Sequence, residues 1–222
     1  MTSRPVVLIL LGAPGSGKGT VAQHLKDKYN MCCVSAGDLL RDEIKKESSI
    51  GRDIKPILES GSLVGDDVVN ELVEQHLKEI VAVGDGAVVL LDGFPRTVEQ
   101  AIFLDKVSSK YKGETCVIAL DVEDDEIVSR IAHRRICNQC GRVYGPRDGA
   151  ADICICGGKL VRRKDDEEST VRHRLSAYRE KTLPVQQHYA KRLIKICGNR
   201  SPEEVARLVE ERLQDMGIKK RR

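Results

Sequence analysis

The sequence predicts an α/β fold in which an open, parallel, five-stranded sheet is flanked by helices. Five short, continuously apolar segments alternate along the chain with longer segments of helical periodicity. A continuous apolar run is typical of a strand covered on both faces, as in parallel sheets. A glycine-rich loop follows the first of these runs, and such loops bind phosphate groups at the carboxyl edge of the sheet.

The predicted strands are, in chain order, VVLILL (6–11), MCCV (31–34), AVVLLD (87–92), CVIALD (116–121) and LIKIC (193–197). The segments KGTVAQHLKDKY, DDVVNELVEQHLKEIV, VEQAIFLDKVSSKY and EDDEIVSRIAHRR predict helices, because their apolar residues recur at helical spacing. A last helix is predicted after Ser201, an N-cap residue that is followed by Pro202 and by the capping-box residue Glu204.

Two segments interrupt this alternation and are predicted to be excursions from the core. Residues 35–64 have helical character without a strand. Residues 136–158 are rich in glycine, cysteine and polar residues.

Composition limits the possible classes of protein. The chain has 222 residues, 41% of them hydrophobic, which suffices for one core carrying small inserts. The formal net charge is only +3, so no overall field favours nucleic acid. The first apolar run is too short to span a membrane.

Four of the eight cysteines lie within residues 137–156, a metal-like clustering expected of a reducing compartment. We therefore expect a cytoplasmic protein, with import into an organelle without cleavage as the alternative.

The loop GAPGSGK (12–18) lies between a predicted strand and a predicted helix, the context that a phosphate loop requires. Its backbone N–H groups and the helix N-terminus can face a phosphate chain, and Lys18 adds a positive charge. Gly19 stands where the general pattern has Ser or Thr, so Thr20 is the candidate for a hydroxyl near Mg²⁺. The alternative is a glycine-rich turn without a ligand.

Two further motifs carry groups suited to phosphate chemistry. In DGFPR, Asp92 is expected at the carboxyl end of a strand beside the phosphate loop, where it can hold Mg²⁺ through water. Arg96 follows in a rigid turn and can bind a phosphate bidentately. In SAGDLLR (35–41), Arg41 falls three residues after Asp38.

Arginines flank the cysteine-rich segment on both sides. If that segment is a lid, they can close over a polyphosphate and neutralise the charge of a transferred phosphoryl group. These arginines are Arg130, Arg134, Arg135, Arg163 and Arg174. Asp165 and Asp166 either position the arginines or cap the following helix.

The four clustered cysteines form a C-x-x-C pair, Cys137 and Cys140, and a C-x-C pair, Cys154 and Cys156. Four thiolates make a closed tetrahedral zinc site, which is structural because it has no open position for a substrate. Asp152 is an alternative ligand to one of the sulfurs. Reduced thiols in a lid held by hydrogen bonds are the alternative to a metal site.

Taken together, these residues resemble the adenylate kinase family of nucleoside monophosphate kinases, in its long-lid form. The motifs that match in order are the phosphate loop with its Gly-Thr continuation, DGFPRT with Gln100, RRIC, CGRVY, RRKDDEESTVRHRL and a late Gly198. The resemblance covers nearly the whole chain. It implies a P-loop NTPase core (1–34, 65–132 and 167–222), a monophosphate-binding insert (35–64) and a lid (133–166). It also implies the reversible, Mg²⁺-dependent reaction ATP + AMP = 2 ADP in a monomer, with neither nucleic acid nor membrane as a partner.

The resemblance further implies the roles of individual residues. The groups around the transferred phosphoryl would be Lys18, Arg134, Arg163, Arg174 and Asp92. The ATP site would comprise Gly15, Ser16, Gly17, Lys18, Gly19, Thr20, Arg130, Tyr144 and Gly198. The AMP site would comprise Ala36, Arg41, Leu63, Val64, Gly93, Arg96 and Gln100, with Gln100 reading the adenine. Zinc would be held by Cys137, Cys140, Cys154 and Cys156.

Two features depart from the family pattern. Adenylate kinases commonly have threonine at the position of Ala36. In this respect the segment SAGDLLR is more similar to the pyrimidine monophosphate kinases. One lost hydrogen bond is worth about 0.5–1.5 kcal/mol, so AMP remains the expected acceptor. The C-x-C pair and the short loop before it also differ from the usual zinc lids of the family.

Four other functions are alternatives to this interpretation of the sequence. A UMP/CMP kinase and a GTP:AMP phosphotransferase are the alternatives within the same class. A regulatory GTP-binding switch is disfavoured because the sequence has no N-K-x-D guanine-reading motif. A nucleic-acid-binding zinc module is disfavoured because aromatic residues do not interleave with the basic ones.

Overall fold

The computed structural model describes residues 5–29, 31–82, 88–110, 113–145 and 152–218. Within these ranges the strands are β1 (Val6–Gly12), β2 (Cys32–Ser35), β3 (Val88–Asp92), β4 (Glu114–Asp121), β5 (Arg135–Cys137), β6 (Val143–Tyr144), β7 (Leu160–Val161) and β8 (Leu193–Cys197). The α-helices are α1 (Lys18–Tyr29), α2 (Ala36–Lys45), α3 (Ser49–Glu59), α4 (Asp66–Ala82), α5 (Val98–Lys110), α6 (Asp124–His133), α7 (Glu168–Ala177), α8 (Leu183–His188) and α9 (Pro202–Asp215). A 3₁₀ turn at Lys164–Asp166 precedes α7, and a turn of π-helix at Tyr178–Thr182 joins α7 to α8.

The main sheet has five parallel strands in the order β2-β3-β1-β4-β8, which confirms the predicted fold. All five strands predicted from the apolar runs are present, although Ala87 of the third run lies outside the described residues. The central position of β1 places the loop that follows it in the middle of the carboxyl edge of the sheet.

Both faces of β1 are buried, as its continuous apolar run predicts. Val7 and Ile9 contribute to one core cluster, which packs against α4, α5 and α8. Leu8 and Leu10 contribute to the other, which packs against α1 and α9. Adjacent residues of a strand point to opposite faces, so an alternating pattern would have left one face polar.

The helices α1 and α9 pack together on one face of this sheet. The α9 helix begins as predicted, because the Ser201 side chain accepts from the Glu204 N–H and the Glu204 carboxylate accepts from the Ser201 N–H. Its buried Glu210 accepts from Lys28 of α1 at 2.7 Å and contacts His24 of α1 at 2.6 Å. In the described part of the chain, no helix combines the length and apolarity that crossing a membrane requires.

Residues 36–59 form two helices, α2 and α3, between β2 and β3. Ser35 caps α2 by accepting a hydrogen bond from the Asp38 N–H at 3.3 Å. Gly51 lets the backbones of α2 and α3 approach closely, because a Cβ there would lie 2.1 Å from the Glu43 carbonyl oxygen. The predicted helical excursion is therefore a helix pair packed without a strand.

A second, antiparallel sheet with the order β6-β5-β7 lies in the cysteine-rich segment. The sequence analysis did not predict these strands, since strands of two or three residues carry no measurable periodicity. Residues 146–151 of the predicted lid lie outside the described residues.

Candidate functional site

The loop between β1 and α1 is shaped by three glycines with positive φ: Gly12 (150°), Gly15 (82°) and Gly17 (95°). Gly15 also packs against α6, and a Cβ there would lie only 2.7 Å from the Ile131 side chain. The backbone therefore requires glycine both for its conformation and for its approach to α6. The loop ends where α1 begins, so that its amides and the helix N-terminus face the same side.

Lys18 folds back over this loop. Its Nζ donates hydrogen bonds to the carbonyl oxygens of Gly12 and Ala13 at 2.7 and 2.8 Å. Burial lowers the pKa of Lys18 from 10.5 to about 8. Asp92 opposes this shift, whereas three nearby arginines reinforce it. The lysine is thus held in a cationic environment that an anionic ligand would relieve.

Asp92 ends β3 immediately beside the phosphate loop. A Cβ built on Gly19 would lie 3.5 Å from its Oδ2 atom, so the carboxylate faces the first turn of α1, which also contains Thr20. The predicted neighbourhood of these three residues is present, and it offers carboxylate and hydroxyl oxygens of the kind that Mg²⁺ prefers.

Five arginines from distant parts of the chain interact with one another, and three of them, Arg96, Arg134 and Arg174, also lie near enough to Lys18 to lower its pKa. The pKa values of Arg163 and Arg174 are lowered to about 10, mainly by burial and also by the charges of neighbouring arginines, while carboxylates oppose the shift. Burial also lowers the pKa of Arg96. The set that these interactions connect is Arg41, Arg96, Arg134, Arg163 and Arg174.

Asp165 and Asp166 hold three of these arginines in place. Asp166 is 1% exposed and pairs with both the Nε and an Nη atom of Arg134, with an Nε–Oδ2 distance of 2.8 Å. Asp165 pairs with Arg163 at 3.2 Å and with Arg174 at 2.9 Å. Burial disfavours the charge of Asp165, but Arg163 and Arg174 outweigh it and lower its pKa.

The structure also decides between the two roles that the sequence left open for these aspartates. The N-cap residue of α7 is Glu167, and its side chain makes no capping hydrogen bond. Asp165 and Asp166 therefore position arginines rather than cap the helix.

Arg96 is supported by the turn that precedes it. Its Nε donates to the Gly93 carbonyl oxygen at 2.8 Å. Gly93 has a φ of 73°, and a Cβ there would lie 2.9 Å from an Nη atom of Arg96. A larger residue at Gly93 would push the guanidinium away. Arg41, by contrast, pairs with Asp38 of its own helix, at 2.5 Å.

The other predicted AMP-site residues differ in what the structure shows for them. Ala36 and Val64 are buried in the core cluster on that face of the sheet, and Leu63 is half-buried. Gln100 is 2% exposed. Its Oε1 accepts from the Arg96 N–H and its Nε2 donates to Asp66 Oδ1, each at 2.7 Å.

Asp66 and Thr97 were not singled out in the sequence analysis. Thr97 lies within the DGFPRT motif, and its hydroxyl donates to Asp66 Oδ2 at 2.8 Å. Asp66 gave no local signal, because its partner Gln100 is 34 residues away along the chain.

Arg130 connects the phosphate loop to the loop after β8. It donates to the Gly198 carbonyl oxygen at 2.8 Å and pairs with Glu126 at 2.7 Å. Its Nη1 atom lies 3.5 Å from the Ser16 carbonyl oxygen. Three predicted ATP-site residues, Ser16, Arg130 and Gly198, therefore lie together on one side of the phosphate loop.

The four cysteines of the predicted zinc site come together in the second sheet. Their sulfur atoms lie within 4.8 Å of one another. The Cys137–Cys156 and Cys140–Cys154 sulfur distances are 3.5 and 3.6 Å. The Cys156 N–H and then the Tyr144 hydroxyl lower the pKa of Cys154 to about 6. The Tyr144 hydroxyl donates to Cys154 at 3.2 Å, so this predicted ATP-site residue is engaged with the cysteine cluster.

A phosphate loop at the centre of a parallel sheet, a carboxylate on the adjacent strand and a connected set of five arginines define a P-loop nucleoside monophosphate kinase.

Comparisons with known proteins agree with this class. The family model "Adenylate kinase" matches residues 10–194. An adenylate kinase of Thermotoga neapolitana is 44% identical over 193 residues, which are 83% of this chain and 86% of the relative. One of Caldicellulosiruptor bescii is 40% identical over 95% of this chain and 99% of its own. One of Petrotoga mobilis is 37% identical over 90% and 94%, respectively. The chain belongs to the adenylate kinase family.

Proposed function

We propose that the protein transfers the γ-phosphoryl group of Mg·ATP to AMP, forming two molecules of ADP, and that it also catalyses the reverse reaction. The observation that carries this proposal is the connected set of five arginines, three of which also interact with Lys18. A single nucleotide on the phosphate loop would leave Arg41 on α2 and Arg96 in the turn after β3 without a ligand. Two nucleotides that meet end to end account for the whole set.

The transfer needs no nucleophile from the protein. A phosphate oxygen of AMP attacks the γ-phosphorus directly, so the chain contributes alignment, positive charge and exclusion of water. Arg41 and Arg96 bind the phosphate of AMP in this proposal. Charge that spreads over the transferred oxygens is stabilised by Lys18, Arg134, Arg163 and Arg174.

Asp92 and Thr20 would hold Mg²⁺, since they supply oxygen atoms next to the phosphate loop. When bound, the ion neutralises charge on the β- and γ-phosphates. The loop residues Gly15, Ser16, Gly17 and Gly19 would bind the phosphates of ATP through their amides.

The two bases would be bound on opposite sides of this centre. Arg130 and Gly198 would face the base of ATP, with Tyr144 approaching it when the lid closes. On the other side, Gln100 would read the base of AMP against a wall formed by Ala36, Leu63 and Val64. The burial of Ala36 and Val64 in one core cluster and the hydrogen bond from the Arg96 N–H to Gln100 support this assignment.

We further propose that residues 35–64 form the AMP-binding insert and residues 133–166 the lid, with the rest of the chain as the core. Contacts between the insert and α7 support a common site, because His173 Nδ1 lies 3.0 Å from the Ser60 carbonyl oxygen. All proposed site residues come from one chain, which supports a functional monomer. The eight free thiols support a cytoplasmic location.

The cysteine cluster fits a zinc ion. Tetrahedral zinc with bonds of about 2.3 Å places its sulfurs about 3.8 Å apart, close to the observed 3.5 and 3.6 Å. We propose a structural zinc on Cys137, Cys140, Cys154 and Cys156. Elemental analysis should find one zinc per chain, which Cys154→Ser abolishes and Cys32→Ser, at an exposed thiol outside the cluster, leaves in place. A zinc-free wild-type protein purified without chelators would contradict this proposal.

The proposed reaction is tested by an acceptor panel. Purified protein is supplied with Mg·ATP or Mg·GTP and with AMP, CMP, UMP or GMP, and ADP or GDP formation is followed. We expect the highest kcat/KM for AMP with ATP. Arg96→Lys should raise the KM for AMP more than that for ATP, because lysine cannot bind bidentately. A pyrimidine nucleotide as the best acceptor would overturn the assignment.

A further inference from the structure

The amide of Gln100 is held by two partners of opposite hydrogen-bonding character. Its Oε1 accepts from the backbone N–H of Arg96, and its Nε2 donates to Asp66 Oδ1, each at 2.7 Å. A backbone N–H can only donate and an ionised carboxylate can only accept. The two partners therefore dictate which end of the amide carries oxygen and which carries nitrogen.

The second oxygen of the Asp66 carboxylate accepts a hydrogen bond from Thr97. The Thr97 hydroxyl accepts from the Gln100 N–H at 3.1 Å, so its own hydrogen is free to bind Asp66 Oδ2, at 2.8 Å. Asp66 is the first residue of α4 and Thr97 immediately precedes α5. Both carboxylate oxygens of Asp66 thus accept a hydrogen bond. In each hydrogen bond of this network, the partners determine which group donates and which accepts.

Within the described residues, two positions on the Gln100 amide have no hydrogen-bond partner and can take a ligand. Oε1 keeps one lone pair and Nε2 keeps one hydrogen. Adenine presents the complementary pattern, a 6-amino donor beside a ring-nitrogen acceptor. Hypoxanthine and guanine present a 6-oxo acceptor beside an N1–H donor, which would require the amide to be turned over.

We propose that Asp66 is a positioning residue for base selection: it locks the Gln100 amide in the orientation that accepts a 6-amino purine and rejects a 6-oxo purine. This inference rests on the proposed function, in which Gln100 reads the base of AMP. A turned amide would place Nε2–H against the Arg96 N–H and Oε1 against the Asp66 carboxylate. Both contacts are repulsive, and Asp66 supplies the charged one.

The test compares AMP with inosine monophosphate, whose base carries the 6-oxo group, as acceptors under saturating Mg·ATP. The readout is the ratio of their kcat/KM values. Asp66→Asn keeps the shape but can offer its own N–H to a turned amide, and Asp66→Ala removes the partner. Both should lower the ratio about tenfold, the size of one charge-assisted hydrogen bond. The KM for ATP should not change.

Thr97→Val is the matched control. It removes the hydrogen bonds that the Thr97 hydroxyl makes with Asp66 Oδ2 and with the Gln100 N–H but keeps the direct contact of Asp66 Oδ1 with Gln100 Nε2, so it should lower the melting temperature with the AMP ratio kept within about twofold. A general structural effect would instead reduce turnover of both acceptors equally and leave the ratio unchanged in every variant.

The variant Gln100→Ala shows whether a negative result concerns Asp66 alone or the reading of the base by Gln100. A changed ratio in Gln100→Ala with an unchanged ratio in both Asp66 variants would overturn the lock. An unchanged ratio in Gln100→Ala would overturn it as well, since Gln100 would then not read the base. Wild-type protein that does not phosphorylate AMP would overturn the proposed function together with this inference, and no variant is needed to see that result.

Discussion

Lys18 links proton binding to nucleotide binding. Burial lowers its pKa to about 8. The negative charge of bound phosphates would favour the protonated form and raise this pKa again. Between the two pKa values the bound protein holds a proton that the free protein lacks, so nucleotide binding should take up protons above pH 8 and hardly any below pH 7.

We expect ATP binding at pH 9 to take up about one proton per chain. Isothermal calorimetry in two buffers of different ionisation enthalpy measures this number. Lys18→Arg is the control, because arginine keeps its charge at this pH and should show no uptake. Equal uptake by the wild type and Lys18→Arg would assign the proton to another group and contradict the prediction.

Residues with local motifs could be predicted, and residues whose partners are distant could not. The phosphate loop lies in the short motif GAPGSGK, and Asp92 and Arg96 lie in the short motif DGFPR. Asp66 is one acidic residue among many at the start of a helix, and only the packing of α4 against α5 brings it to Gln100. The same limitation left Asp165 and Asp166 with two possible roles until their arginine partners were visible.

At the scale of elements, the five strands were predictable because burial on both faces leaves a continuous apolar run. Their order was not, because a run such as VVLLD carries no information about which neighbour it pairs with. The strands β5, β6 and β7 have two or three residues each, too few for a pattern. Their positions are decided by pairing and by the cysteines instead.

The contact between the phosphate loop and α6 gives an element-scale prediction. A Cβ at Gly15 would lie 2.7 Å from Ile131, which is 1% exposed, and its φ of 82° disfavours any side chain. Gly15→Ala should therefore destabilise the protein by about 2–4 kcal/mol, from backbone strain and overpacking together. Urea unfolding measures this free energy.

Two further variants divide that cost into its parts. Gly217→Ala has a similar φ of 77° with nothing within 4 Å, so it should cost only the strain, about 1 kcal/mol. Ile131→Ala should lower the free energy of unfolding less in the Gly15→Ala variant than it does in the wild type. Strictly additive effects would mean that the loop and α6 do not meet as the structure has them.

At the scale of the whole molecule, the two sheets are stabilised by different interactions. The main sheet is covered by two extensive apolar clusters. In the described part of the chain, the buried apolar cluster of the second sheet consists of Cys137, Cys154 and Leu160, with Tyr144 packed against it. Two of its three buried members are proposed zinc ligands, so this sheet has almost no interior without a metal.

Zinc removal should therefore unfold the second sheet locally and spare the first. Short strands without a hydrophobic core are not stable in water, and the binding free energy of a structural zinc is also folding free energy. Hydrogen exchange on zinc-loaded and chelated protein measures the effect: amides of β5 and β7 should lose protection, whereas those of β1 and β4 should keep it. ATP turnover should fall as well, because Arg134 and Arg163 flank this sheet and depend on its position. Undiminished protection of β5 and β7 in protein shown to be free of zinc would mean that hydrogen bonds alone hold the second sheet together.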